Sequence, residues 1–274
     1  MSTLNEPFLF GGLGLDAGRA RFLRPFSASY SPAVEFAAGA AGLWYDPSPS
    51  TCFLDVAGTI PAGAGDPVAR VQDISGNGRH ATQATVAARP TLLQDSAGRW
   101  FLRYDGGDVL ETGTVDFSGV SAVSVMTAVR SEVTGRFAVI AELSPRTDLN
   151  PGAFLLAQPG AAPGQGFAWF LEDPGGNGNI VVPSGYPTAT YVVTAQTDLP
   201  SSSHLLRVDG GQVGADSSPL TGAFFRSDRM GIGGRIGAAL GGWTGRLYGL
   251  AVVGAAIAPA EAEAWMAARS GVTL

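Results

Sequence analysis

The tetrad Ser75-Gly76-Asn77-Gly78 forces the chain to reverse direction at its own position. Two glycines flank an asparagine, and these residues reach positive φ at little steric cost. Ahead of the turn, Val71 to Ile74 is an apolar run fit for a short strand. Beyond it, Trp100 to Tyr104 alternates in the manner of a half-buried strand, and Asp105-Gly106-Gly107-Asp108 turns the chain again. A chain punctuated this way is restricted to short strands joined by tight turns. With 39 Gly and 18 Pro in 274 residues, the rest of the sequence obeys the same restriction, and 45% hydrophobic residues suffice for a sizeable core. At this length an all-β sandwich plus a short appendage fits as one domain.

Residues 1–40 read differently. Phe8 to Leu15 is apolar but Gly-rich, Arg19 to Arg24 holds three Arg residues, and Ala33 to Ala41 suits one or two helical turns. No period of 2 or 3.6 persists. With Phe8, Phe10, Phe22, Phe26, Tyr30 and Phe36, the segment is too apolar for an ordinary disordered tail. It must lie on something: its own sandwich, a sister subunit or another protein. We read it as an N-terminal arm preceding a sandwich at 41–274.

From Leu43 onward, strands are expected at Phe53-Leu54, Val68 to Ile74, Trp100 to Tyr104 and Ser121 to Arg130. Arg136 to Leu143 is more continuously apolar and is expected to be central. Ala153 to Ala157 should pair with Phe167 to Glu172, and Asn179 to Val182, Thr190 to Ala195 and Leu205 to Val208 continue the set. His204 to Val213 reads as a hairpin, with Asp209-Gly210-Gly211 supplying the positive-φ turn. In Trp243 to Val253, Leu247 and Leu250 differ in parity, which predicts a bulge or burial on both faces. A short helix closes the chain at Ala258 to Arg269. Pro259 suits its first turn, Gly271 its end, and Trp265 and Met266 its buried side.

Several motifs together resemble a known family. Asp73-x-Ser-Gly-Asn-Gly-x-x-Ala followed by Leu102-x-Tyr-Asp-Gly-x-x-x-Leu110 is similar to the opening of a laminin-G-like, concanavalin-A-like jelly roll. Leu43-Trp-Tyr-Asp-Pro-Ser48, His80-Ala-Thr-Gln83, Ala88-Arg-Pro-Thr-Leu92 and Ala268-Arg-Ser-Gly-Val-Thr-Leu274 resemble a branch common in tailed bacteriophages and prophages. The resemblance runs from about Leu43 to Leu274. It implies an all-β, antiparallel jelly-roll sandwich, and a virion structural or accessory protein attached to capsid or tail. The arm would contact other virion proteins, the sandwich would touch host-surface polysaccharide, and a homo-oligomer is compatible with both. One sandwich hosts many functions. A non-viral carbohydrate-binding module and a sandwich-fold glycoside hydrolase are therefore the competing readings.

Charge and composition narrow these further. A net charge of −6, with 17 scattered Arg residues supplying all the positive charge, argues against nucleic-acid binding. Cys52 is alone, so no intramolecular disulfide is expected. The N-terminus lacks a basic region ahead of its apolar run, and Leu247 to Ala258 is too short to span a bilayer. The expectation is a product made in a reducing host cytoplasm without a signal peptide, not inserted in a membrane and located in the virion.

Catalysis is poorly served. Sandwich glycosidases need two carboxylates flanking the scissile bond. Glu142 stands apart from Asp148, which lies beyond Pro145, and Glu172 and Asp173 would point to opposite faces of a strand. The two histidines, His80 and His204, lack a Gly-x-Ser-x-Gly elbow and the company a zinc site needs. We therefore expect no enzyme and no resident cofactor. Calcium stays open, because Asp73, Asn77, Asp105 and Asp108 lie near turns that could converge, although Asp and Asn also cap such turns by local hydrogen bonds. For a carbohydrate, the candidate aromatics are Trp169, Tyr186 and Tyr191; Trp44, Trp100 and Trp243 occupy core-like positions.

Overall fold

The computed structural model describes residues 30–132, 135–160, 165–173, 179–182, 184–220, 222–237 and 241–274. Two antiparallel sheets stack face to face. The first contains β1 (Gly42–Tyr45), β5 (Thr91–Gln94), β6 (Trp100–Asp105), β8 (Ala122–Ser131), β13 (Tyr191–Asp198), β14 (Ser203–Val208), β15 (Gly211–Asp216) and β17 (Thr244–Val253). Their spatial order is β15-β14-β13-β8-β17-β6-β5, and β1 also pairs with β17. The second contains β2 (Cys52–Phe53), β3 (Arg70–Val71), β4 (Ala81–Thr82), β7 (Leu110–Asp116), β9 (Val139–Leu143), β10 (Phe154–Ala157), β11 (Ala168–Leu171), β12 (Asn179–Val181) and β16 (Ser227–Ile232). Their order is β12-β11-β10-β9-β16-β7-β4-β3-β2. This is the expected jelly-roll sandwich, and among the described residues no helix is long and apolar enough to cross a membrane.

The inner faces close over one core, built from residues such as Leu43, Leu102, Tyr104, Val125, Ile140, Phe154, Trp169, Leu206 and Leu250. Strand β9 is buried along its whole length and has neighbours on both sides, as its apolar run predicts. Strands β10 and β11 pair as expected. The parity conflict in β17 is resolved by a register shift between Leu247 and Gly249, which admits one extra residue, Tyr248. Leu247 and Leu250 then both face the core, while Tyr248 joins the opposite face.

That opposite face of the first sheet is covered by α2 (Pro259–Ser270). Met266 and Ala262 pack on Met126, Ala128 and Ala251, together with Phe36 and Trp44. Glu263 is buried and pairs with Arg207 of β14 at 2.7 Å. Gly271 ends the helix with φ of 73°. Burying a side chain of Met266's size contributes about 1.5–3 kcal/mol. Helix α1 (Ala33–Phe36) is one turn long. Its Phe36, with Tyr30 beside it, packs into this same cluster, so the last residues of the arm lie on their own sandwich. The arm's other aromatics, Phe8, Phe10, Phe22 and Phe26, lie outside the described residues.

The Gly-Asn-Gly turn is tied at several points. Gly76 and Gly78 have φ of 92° and 70°. Asp73 Oδ1 accepts from the Trp44 and Ser75 N–H groups, and Oδ2 from Ser75 Oγ and the Arg79 N–H, all within 2.7–2.9 Å. Asn77 Nδ2 donates to the carbonyls of Ala40 and Gly42. The strand expected at Val68 to Ile74 is shorter than its apolar pattern: Arg70 and Val71 form the ladder, while the Gln72 and Ile74 N–H groups reach the separate carbonyls of Thr51 and Trp44 and the Asp73 N–H turns to His80.

Candidate functional site

Sites on this sandwich are constrained by what already covers it. Trp169 is wholly buried, and its Nε1 donates to Thr197 Oγ1 at 2.8 Å. Thr197 Oγ1 also meets His204 Nδ1 at 2.9 Å, in a ring of core polar groups. An indole enclosed in this way has no face to offer a sugar. His204 is likewise enclosed, and desolvation lowers its pKa. Tyr186 and Tyr191 do come together. Their rings meet edge to face at 5.3 Å, and each also packs against Phe167. Much of their ring surface is therefore spent on one another at the end of the core.

The carboxylates behave structurally. Glu142 is fully buried, and its Oε1 accepts from both the N–H and Oγ1 of Thr147. Arg235 Nε donates to its Oε2 at 3.1 Å, while Arg235 Nη1 lies 3.3 Å from Asp148 Oδ1. The separation of Glu142 and Asp148 expected from Pro145 is thus not the whole picture, because a short 3₁₀ turn at Thr147–Leu149 folds Asp148 back. The guanidinium occupies the space between the two carboxyls, where a glycosidase would need its scissile bond. Burial raises the Glu142 carboxyl, and its bonds from Thr147 and Arg235 oppose that rise.

At the opening turn, His80 Nδ1 accepts from the Asp73 N–H at 3.0 Å, a structural bond that requires a neutral imidazole. Desolvation and the nearby Arg70 lower its pKa in keeping with that role. Asp105 and Asp108 serve their own turn: Asp108 Oδ2 accepts from the Asp105 N–H, and Asp105 Oδ1 from the Gly107 N–H. Among the described residues no group of three or more His, Cys, Asp or Glu side chains is placed to hold a metal ion.

The residues that do frame a cavity were not read from the sequence as a binding site. Asp46, Pro47 and Ser48 follow β1. Gly98, Arg99 and Trp100 lead into β6, Tyr248 is the bulged residue of β17, and Ala268 and Arg269 end α2. Together they line an open cavity of about 300 Å³. Its charged groups are held in place. Arg269 Nη2 lies 2.9 Å from Asp46 Oδ2, and the Arg269 guanidinium stacks 4.7 Å from the Trp265 ring centroid. Arg99 Nε donates to Asp95 Oδ2 at 2.8 Å. The Arg99 guanidinium also lies where a side chain at position 271 would stand, so its seat exists because that residue is Gly. Burial raises the Asp46 carboxyl, with Arg269 opposing. Trp100 is half-buried at the rim of the core, with one part against the interior and one part on the cavity. The sequence placed it with Trp44 and Trp243, which are indeed buried. The distinguishing signal is its position as the first residue of β6, directly after a turn, where a core-parity residue reaches the end of the sandwich.

The fold defines the class: an antiparallel jelly-roll β-sandwich. No family model matches the chain, and no curated protein does. Solved structures are similar in fold. One is a structure of botulinum neurotoxin type C, reported with that toxin's cell entry through two ganglioside molecules. Its TM-score is 0.56 and its identity 10%, over 84% of this chain and 51% of that one. Another is the serotype D ligand-binding domain in complex with N-acetylneuraminic acid, at TM-score 0.53 and 10% identity, over 84% and 50%. A third is the DC binding domain in complex with rat synaptotagmin II, at TM-score 0.54 and 10% identity, over 84% and 52%. This chain therefore spans about half the length of these structures, and at this identity the likeness is one of fold.

Proposed function

We propose that the protein is a non-catalytic carbohydrate-binding sandwich whose ligand seat is the cavity at Asp46, Trp100 and Arg269. The observation that carries this is the cavity's make-up. A pyranose has an apolar C–H face and a rim of hydroxyls. It is recognised by an aromatic surface beside fixed polar groups. Trp100 supplies the first; Asp46, Arg99 and Arg269 supply acceptors and donors already oriented by ion pairs, and Ser48 adds a hydroxyl held by Ser50 and Thr51. A volume of about 300 Å³ is at the small end of ligand cavities and suits a single sugar residue, such as a chain terminus. The fold neighbours support the reading: cell entry of one depends upon interaction with gangliosides, and another is in complex with N-acetylneuraminic acid.

The finer placement, on a tailed-phage or phage-like particle with the arm docked to capsid or tail proteins, rests on the sequence motifs alone. Proteomics of purified particles tests it, and absence of the chain from them would remove the virion role while leaving the binding module. Glycan-array binding of the full chain tests the binding role. Specific retention on a subset of glycans is expected, and no binding across neutral and acidic glycans would overturn it.

A further inference from the structure

Three arginines stand side by side across the first sheet. Arg246 of β17 is the direct cross-strand partner of Arg103 on β6 and of Arg130 on β8. Directly opposed residues on antiparallel neighbours project from the same face, so the three guanidinium groups share the face that carries Phe101 and Tyr248. Like charges in directly opposed positions destabilise a sheet. This row has two such contacts in succession. Among the described residues Glu132 moderates it, at 2.8 Å from Arg246 Nε and 3.7 Å from Arg103 Nε. Asp105 lies on the same face but its Oδ1 is engaged by its own turn. Among the described residues Arg130 has no ion-pair partner, and its Nε is buried without an acceptor. The arrangement thus holds cationic donors in surplus on a chain whose net charge is −6.

The row also adjoins the cavity. The Arg246 guanidinium lies 5.0 Å from the centroid of the Phe101 ring, which neighbours the cavity-lining Tyr248. Phe101 and Tyr248 are themselves in contact at 5.2 Å. A saccharide seated with one residue in the cavity can therefore extend over the arginines. Guanidinium forks match planar or tetrahedral oxyanions in a way hydroxyls do not.

We infer that the ligand is an acidic saccharide, whose carboxylate or sulfate groups are received by Arg103, Arg130 and Arg246. This rests on the carbohydrate reading of the neighbouring cavity and adds the charge class of the ligand. The test is calorimetric titration of the full chain with three probes: dextran sulfate oligomers, neutral dextran oligomers of the same length, and oligogalacturonate. Both acidic probes, or one of them, should bind at least tenfold more tightly than dextran, with affinity falling as salt rises. Preference for dextran sulfate alone assigns sulfate, and preference for oligogalacturonate assigns carboxylate. Arg130→Gln should weaken acidic binding about fivefold or more without lowering Tm, since it relieves repulsion. Glu132→Gln should tighten acidic binding by freeing Arg246. Acidic and neutral probes bound alike, or wild-type acidic affinity in Arg130→Gln, would overturn the inference. Glycan-array binding confined to neutral glycans would sink it while sparing the cavity, whereas failure of every glycan and probe would sink both.

Discussion

At the scale of single residues, Asp73 shows how one carboxylate ties a turn together. Its two oxygens meet four donors. Asp73→Ala leaves those donors without their acceptor and should cost about 3 kcal/mol, since each buried unsatisfied group costs roughly 1–3 kcal/mol. The cost of Gly76→Ala is different in kind. Nothing lies within 4 Å of an added methyl there, so only the positive φ is penalised, by about 1 kcal/mol or slightly more. Thermal melts should rank Asp73→Ala well below Gly76→Ala, with neither melt altered by chelator. A chelator-sensitive wild type whose sensitivity is lost in Asp73→Ala would make the turn a metal site instead. This turn was legible in the sequence because Gly-Asn-Gly dictates its backbone and Asp73 lies within bonding reach along the chain.

Asp108 gives a second residue-scale prediction, in pH. Burial pushes its carboxyl up to about 6, above the ordinary 3.8. Between those values the folded chain holds a proton that the unfolded chain releases. The stability this group contributes is therefore greatest below about pH 4 and is lost as pH rises through 6. Asp108→Asn, which keeps an acceptor for the Asp105 N–H, should raise Tm relative to wild type near pH 7.5 and give little gain near pH 4. Calorimetry at the two pH values decides, and an equal gain at both would contradict the assignment.

At the scale of elements, α2 links stability to the cavity. Gly271 has φ of 73° and leaves room for the Arg99 guanidinium, so Gly271→Ala should meet both backbone strain and a collision. It should lower Tm more than Gly76→Ala does, and it should also weaken ligand binding by displacing Arg99. A Tm loss no larger than that of Gly76→Ala would show that the helix end adapts freely. The helix itself was legible from Pro259 to Gly271, and so was the β17 irregularity, because a one-residue parity conflict has few solutions. The cavity was not. Its residues come from four separate stretches, and no local pattern in Asp46, Trp100, Tyr248 or Arg269 states that they meet. Trp169 failed as a candidate for a related reason: alternation shows that one parity of Phe-Ala-Trp-Phe faces inward, but the choice of parity depends on the opposing sheet.

At the scale of the whole molecule, the first sheet has one face in the core and the other divided between α2, the last residues of the arm, and the cavity with its arginine row. The arm's boundary follows from this division. Phe36 packs against the helix-covered face, and the Ala40 carbonyl accepts from Asn77. A chain lacking residues 1–40 should melt several degrees below one lacking residues 1–29. Equal melting of the two truncations would show that the packing of Phe36 contributes nothing. Whether residues 1–29 dock to another protein is a separate matter, tested by particle assembly with the shorter truncation.

The central claim is that the cavity at the end of α2, and not the Tyr186–Tyr191 pair, seats a sugar. The direct measurement is calorimetric titration of the tightest glycan from the array against wild type, Trp100→Ala and Tyr191→Ala, with melts confirming that all three are folded. Loss of an aromatic platform from a ligand seat should reduce affinity about tenfold or more, on the order of 1.4 kcal/mol. The account predicts that loss for Trp100→Ala and near-wild-type affinity for Tyr191→Ala. Unchanged binding in a folded Trp100→Ala, with the loss falling on Tyr191→Ala, would contradict it.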